Sequence, residues 1–119
     1  MAEPSPTVLL IEDEPLIRMG TSAMLEDAGY CVLEAGDAQE AQLVLAVHPE
    51  ISIVVTDVQM PGQMDGLALV KLLKQTLPHI RVLVTSGRSG PQEAGAHGAS
   101  FLHKPYTARD IQQAITVAG

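Results

Sequence analysis

At 119 residues, 46% of them hydrophobic and 18% charged, the chain suits one domain with a real core and is too apolar to be disordered. Its formal net charge of −7 argues against direct nucleic-acid binding, which needs a basic face. The single cysteine, Cys31, cannot close an internal disulfide, and a reduced compartment is the simplest inference.

Residues 1–6 lack a basic region and a long apolar run, so no signal peptide is visible. They read as a disordered segment ahead of a single domain over residues 7–119. The most apolar stretch, residues 43–55, is interrupted by His48, Pro49 and Glu50, which rules out a spanning helix there. A cytoplasmic protein without membrane contact is expected.

Thr7–Ile11 is a buried-strand run that ends in Glu12, Asp13 and Glu14. Pro15 suits the first turn of a helix, where its missing N–H costs nothing. That helix is expected to reach about Ala28, to turn Leu16, Met19, Ala23 and Met24 or their neighbours inward, and to end at Gly29. Cys31–Ala35 is a second strand, opened by a cysteine expected to be a buried, inert thiol. Asp37-Ala-Gln-Glu40 has capping-box spacing and opens a second helix bounded by Pro49.

Ile51–Asp57 is an apolar run that delivers one carboxylate at its end, as a strand buried on both faces would. The proline and two glycines that follow, up to Gly66, force a turn directly after Asp57. Residues 67–74 form an apolar helix with lysines on its outer side. Residues 80–85 are a fourth strand, ended by Ser86 and Gly87. Residues 89–98 complete the alternation as a helix, weakened by Gly90, Pro91, Gly95 and Gly98. Ser100–His103 is a fifth strand, followed by Lys104 and Pro105, and Thr107-Ala-Arg-Asp110 caps a last helix.

Five strands alternating with five helices predict an α/β fold with a parallel sheet covered on both faces. Parallel connection puts every strand's carboxyl end on one edge. Glu12, Asp13, Asp57, Ser86 and Lys104 therefore gather at one rim, where open α/β sheets bind ligands. Clustered carboxylates repel unless a cation sits among them. Asp13 and Asp57 suit Mg²⁺, which binds through few carboxylates plus phosphate oxygens. A lysine and a hydroxyl suit phosphoryl oxygens, and Asp57 could act as a carboxylate nucleophile that becomes an aspartyl phosphate.

Four ordered motifs resemble those of the response regulator receiver domain: Val8-Leu-Leu-Ile-Glu-Asp-Glu-Pro15, Thr56-Asp-Val-Gln-Met-Pro-Gly-Gln-Met-Asp-Gly66, Val84-Thr-Ser-Gly87 and Phe101-Leu-His-Lys-Pro105. The resemblance covers nearly the whole chain and implies a flavodoxin-like sheet of order 2-1-3-4-5. It implies that Asp57 is the phosphoacceptor and that Glu12 and Asp13 are the acidic pair, with Asp13 the direct Mg²⁺ ligand. The Gln59 backbone carbonyl would be a further ligand. Ser86 would be the switch hydroxyl, Lys104 the phosphoryl-binding lysine and Phe101 the switch aromatic, while Gln59 and Arg88 would tune the phosphoryl lifetime. The implied donor is a histidine kinase or a histidine phosphotransfer protein. The implied output is a downstream protein bound around the helix at 89–98 and the fifth strand.

The chain departs from the family's pattern in places. Glu12 replaces the commoner Asp, Thr85 offers a second candidate hydroxyl beside Ser86, and Gln63 reads as an extra residue in the central turn. His103 reads as a strand side chain rather than a base. Two rivals use other chemistry. A Mg²⁺-dependent phosphohydrolase of the aspartyl-phosphate type would need a carboxylate two residues after Asp57, where Gln59 stands. A flavin carrier is poorly served by two tyrosines, one phenylalanine and no tryptophan. Nothing after the last helix reads as an output domain, which leaves a stand-alone receiver and a piece of a longer regulator or hybrid kinase both open.

Overall fold

The computed structural model describes residues 6–58, 66–86 and 99–117. The expectations for residues 1–5, Gln59, Gln63, Arg88 and the helix at 89–98 lie outside them. Five strands form one parallel sheet: β1 (Thr7–Ile11), β2 (Cys31–Ala35), β3 (Ile51–Asp57), β4 (Arg81–Ser86) and β5 (Ser100–His103). Their order is β2-β1-β3-β4-β5. Among the described residues four helices flank it: α1 (Pro15–Asp27), α2 (Ala38–Val47), α3 (Gly66–Thr76) and α4 (Ala108–Val117).

The unbroken aliphatic runs follow from the two-sided cover. Side chains alternate along a strand, so consecutive apolar residues serve opposite faces. Leu9, Ile11, Val54, Val82 and Val84 form one core with Ala41 of α2 and Leu69 and Leu73 of α3. Val8, Leu10, Ile53, Val55 and Leu83 form the other with Leu25 of α1 and Ile111 and Ile115 of α4. Full burial of each such side chain contributes about 1.5–3 kcal/mol relative to exposure, so this alternation anchors the register of the three central strands.

Local signals close the elements. Gly29 follows α1 with φ 99°, a left-handed conformation that residues with a Cβ adopt only under strain. The Asp37 side chain accepts a hydrogen bond from the Glu40 N–H at 2.8 Å and starts α2. Thr107 and Asp110 form a reciprocal box: each side chain accepts from the other's N–H, at 3.1 and 3.0 Å, and α4 begins there.

Two expectations are corrected. Leu16 and Met19 are 76% and 67% exposed, and α1 instead buries Thr21, Ser22 and Leu25. The helical period holds but its phase is rotated: Leu25 enters the core, and the same side of the helix is held by polar partners. Arg18 donates to Glu34 and to the Glu12 carbonyl, and Thr21 meets Tyr106. Cys31 is exposed rather than buried. It is the first residue of β2, a strand that among the described residues pairs with β1 alone, at the sheet's border.

Candidate functional site

Backbone hydrogen bonds join the strand ends into one rim. Glu12 N–H donates to the Ala35 carbonyl at 3.0 Å, Val58 N–H to that of Thr85 at 3.0 Å, and Lys104 N–H to that of Ser86 at 2.9 Å. Each bond aligns the carboxyl end of one strand with its neighbour's. The acids after β1, the aspartate ending β3, the hydroxyl ending β4 and the lysine after β5 thereby occupy one edge.

The carboxylates of Glu12, Asp13 and Asp57 each present an oxygen within 4.8 Å of the others'. Glu12 and Asp57 are buried at 4% and 7% exposure, while Asp13 faces solvent. The Lys104 ammonium reaches between the two buried acids, donating to Asp57 Oδ2 at 2.5 Å and to Glu12 Oε1 at 2.9 Å. Glu12's extra methylene thus carries its carboxylate to the lysine. Three carboxylates against one ammonium leave an excess of negative charge at the rim.

The titration behaviour follows from this packing. Burial pushes the Glu12 carboxyl above the ordinary range, and Asp57's charge pushes the same way; the hydrogen bond and charge of Lys104 oppose them without cancelling them. Burial disfavours the Lys104 ammonium, yet its hydrogen bonds to Asp57 and Glu12 more than offset this and hold its pKa above the usual lysine value. The lysine is therefore a fixed positive charge at neutral pH.

Gly66 brings the start of α3 against the end of β3. Its N–H donates to the Val58 carbonyl at 2.9 Å. A Cβ here would stand 2.0 Å from the Asp57 carbonyl oxygen and 2.9 Å from Val58 Cα. Only glycine allows this approach.

At the end of β4, Ser86 is fully buried, and Thr85 Oγ1 lies 3.5 Å from the Thr56 carbonyl on the neighbouring strand. Phe101 is half-buried against the core shared with α2 and α3, its ring edge-on to His103 at 5.6 Å. His103 is exposed, consistent with a strand side chain. Among the residues expected at the site, Glu12, Asp13, Asp57 and Lys104 converge; Gln59 and Arg88 lie outside the described residues.

Sequence reasoning passed over three contributors to this rim. Arg18 Nη1 donates to the Glu12 carbonyl at 2.8 Å and Arg18 Nε to Glu34 Oε1 at 3.2 Å, pinning the loop that carries the acids. Thr21 and Tyr106 join hydroxyl to hydroxyl at 2.9 Å. No sequence signal marked them, because a polar stripe such as Arg18, Thr21 and Ser22 at helical spacing ordinarily reads as a solvated face.

The donor set fits Mg²⁺: hard carboxylate oxygens from the segment after β1 and the end of β3, grouped closely enough for one ion, with solvent access on the Asp13 side for retained waters. A doubly wound five-stranded domain thus carries, on its carboxyl edge, donors suited to a divalent cation and an ammonium suited to an anion. The family model of the response regulator receiver domain matches residues 8–116, and the chain belongs to that family. Among curated relatives it is 37% identical to the sensor kinase CckA of Brucella abortus, over 93% of this chain and 12% of that protein. It is 36% identical to the transcriptional regulatory protein PdtaR of Mycobacterium tuberculosis, over 93% of this chain and 55% of that protein. The chain thus spans a small part of the one and about half of the other. A receiver domain from Clostridium thermocellum superposes with TM-score 0.85 at 30% identity, covering 92% of this chain and 90% of that one. The chemotaxis protein CheY4 of Vibrio cholerae gives 0.80 at 30% identity, over 94% and 97%. Among the described residues no helix is long and apolar enough to cross a membrane.

Proposed function

We propose that Asp57 accepts a phosphoryl group from a phosphohistidine of a histidine kinase or histidine phosphotransfer protein. The observation that carries this reading is the Lys104–Asp57 hydrogen bond at the heart of a three-carboxylate cluster. In the transfer, an Asp57 oxygen forms a bond to phosphorus as the phosphorus–nitrogen bond breaks, and the leaving imidazole recovers its electron pair and takes up a proton. Glu12, Asp13, Asp57 and the Gln59 backbone carbonyl would hold Mg²⁺, which neutralises phosphoryl charge when bound. The domain would catalyse only its own phosphorylation and dephosphorylation.

The chain's own residues do the rest. Lys104 supplies a fixed ammonium to a phosphoryl oxygen without a proton-transfer step. Ser86 donates its hydroxyl to another, and Phe101 follows by packing deeper, which changes the surface of β5 and the 89–98 segment for a downstream protein. Gln59 and Arg88, two residues beyond the acceptor and the switch hydroxyl, set the phosphoryl lifetime. Function in the cytoplasm is part of this reading.

The test is intact-mass spectrometry after incubation with a small phosphodonor and Mg²⁺. One added phosphoryl is expected, absent without Mg²⁺ and in Asp57→Asn. Equal labelling of Asp57→Asn would show that another residue is the acceptor.

A further inference from the structure

The loop from Lys104 to Thr107 carries the site's one described ammonium, on a flexible four-carbon stem. It is held at both ends. Lys104 N–H bonds the Ser86 carbonyl, and Thr107 is locked in the α4 cap. Between those points Tyr106 lays its ring against the core shared with α1 and α4 and joins its hydroxyl to Thr21 Oγ1 at 2.9 Å. Thr21 is 3% exposed, while Tyr106 is half-buried and, like Thr21, lines a cavity between α1 and the loop.

The connection closes a ring of contacts. Lys104 Nζ grips Glu12 at one end, α1 begins three residues after Glu12, and Thr21 of α1 returns through Tyr106 to Lys104. Packing alone does not set the spacing across this ring. A cavity of about 480 Å³ opens between α1 and the loop, lined by Gly20, Thr21, Met24 and Pro105 among others. A side chain added at Gly20 would meet nothing within 4 Å. The hydroxyl pair therefore spans a place where tight packing is missing.

We infer that Thr21 and Tyr106 are positioning residues for phosphoryl transfer: their hydrogen bond holds the Lys104 loop at the distance from α1 that keeps the ammonium on Asp57. Neither residue touches the reacting atoms. This inference rests on the phosphoacceptor reading. Burial above all raises the Tyr106 pKa; the Thr21 hydrogen bond and the Lys104 charge lower it, and the charges of Glu12 and Asp57 raise it.

The experiment compares wild type, Tyr106→Phe, Thr21→Val and the double variant for Asp57 labelling rate at saturating Mg²⁺ and for Tm. In Tyr106→Phe the Thr21 hydroxyl is free to turn to a carbonyl one turn back, so Tm stays near wild type. Thr21→Val removes the protein partner of the half-buried phenol and lowers Tm, and the double variant, with neither hydroxyl present, recovers it. The labelling rate is expected to fall about five-fold in Tyr106→Phe and to stay low in the double variant, which corresponds to about 1 kcal/mol. A rate unchanged in Tyr106→Phe, or one that recovers with Tm in the double variant, overturns the positioning role while leaving Asp57 as acceptor. A wild-type chain that takes no label overturns the acceptor reading and this inference with it.

Discussion

Lys104 Nζ and Asp57 Oδ2 lie 2.5 Å apart although 47 positions separate the two residues in the chain. Glu12 shares the same ammonium at 2.9 Å. One cation thus holds two buried acids, and the lysine is already directed at the carboxylate that would carry the phosphoryl group. Lys104→Met is expected to slow Asp57 labelling about 100-fold, as loss of an aimed charge-stabilising donor does. Labelling kinetics at fixed Mg²⁺ check this; a rate within a few-fold of wild type would remove Lys104 from the transfer step.

Lys104 and Glu12 predict two pH limbs, one from a base and one from an acid. Lys104's folded pKa is raised above 10.5, so the stability it contributes is complete below the unfolded value and is lost as pH rises through the folded one. Glu12 is an acid whose folded pKa is raised above 4.5. The folded state holds that proton more tightly, so stability falls as pH climbs from the ordinary value through the raised one. Urea midpoints from pH 4 to 11 in Mg²⁺-free buffer should show both limbs. Glu12→Gln should flatten the acidic one and Lys104→Met the alkaline one.

Asp13 is the exposed member of the carboxylate cluster, and no ammonium is bonded to it among the contacts described. Without metal it contributes mainly repulsion. Asp13→Asn should therefore stabilise the metal-free domain by a few tenths of a kcal/mol, up to about 1 kcal/mol, the scale of solvent-screened charge pairs. It should also shrink the rise in Tm on adding Mg²⁺, since that rise grows with the logarithm of ligand concentration over dissociation constant. Thermal scans with and without Mg²⁺ measure both effects. A metal-free Tm below wild type would contradict the repulsion argument.

Gly66 tests the geometry at the acceptor itself. A methyl at this position meets backbone, which cannot swing aside as a long side chain can. Gly66→Ala should cost about 1–3 kcal/mol through overpacking and also slow Asp57 labelling, because the shift falls on the peptide that carries the acceptor. Urea unfolding and labelling rates together check it. Wild-type stability would mean that the start of α3 relaxes without strain.

The alternation of apolar runs with helical patterns was enough to specify the fold class, because strands covered on both faces read as near-continuous apolar runs and parallel strands need long crossover connections, usually helices. Thr7–Ile11, Cys31–Ala35, Ile51–Asp57 and Ser100–His103 run between the very residues the pattern marks. The gathering of Glu12, Asp13, Asp57 and Lys104 followed from topology alone, since parallel strands share one carboxyl edge. Side-chain partnership was beyond that logic. Nothing in the order of residues says that Lys104 lies between Glu12 and Asp57, that α1 turns Thr21 and Arg18 inward and Leu16 and Met19 outward, or that Tyr106 bonds Thr21. Helical period carries no absolute phase when polar groups on neighbouring elements compete with leucines for the buried stripe. Only the packed neighbours of α1, arriving from residues 34 and 106, decided which face went in.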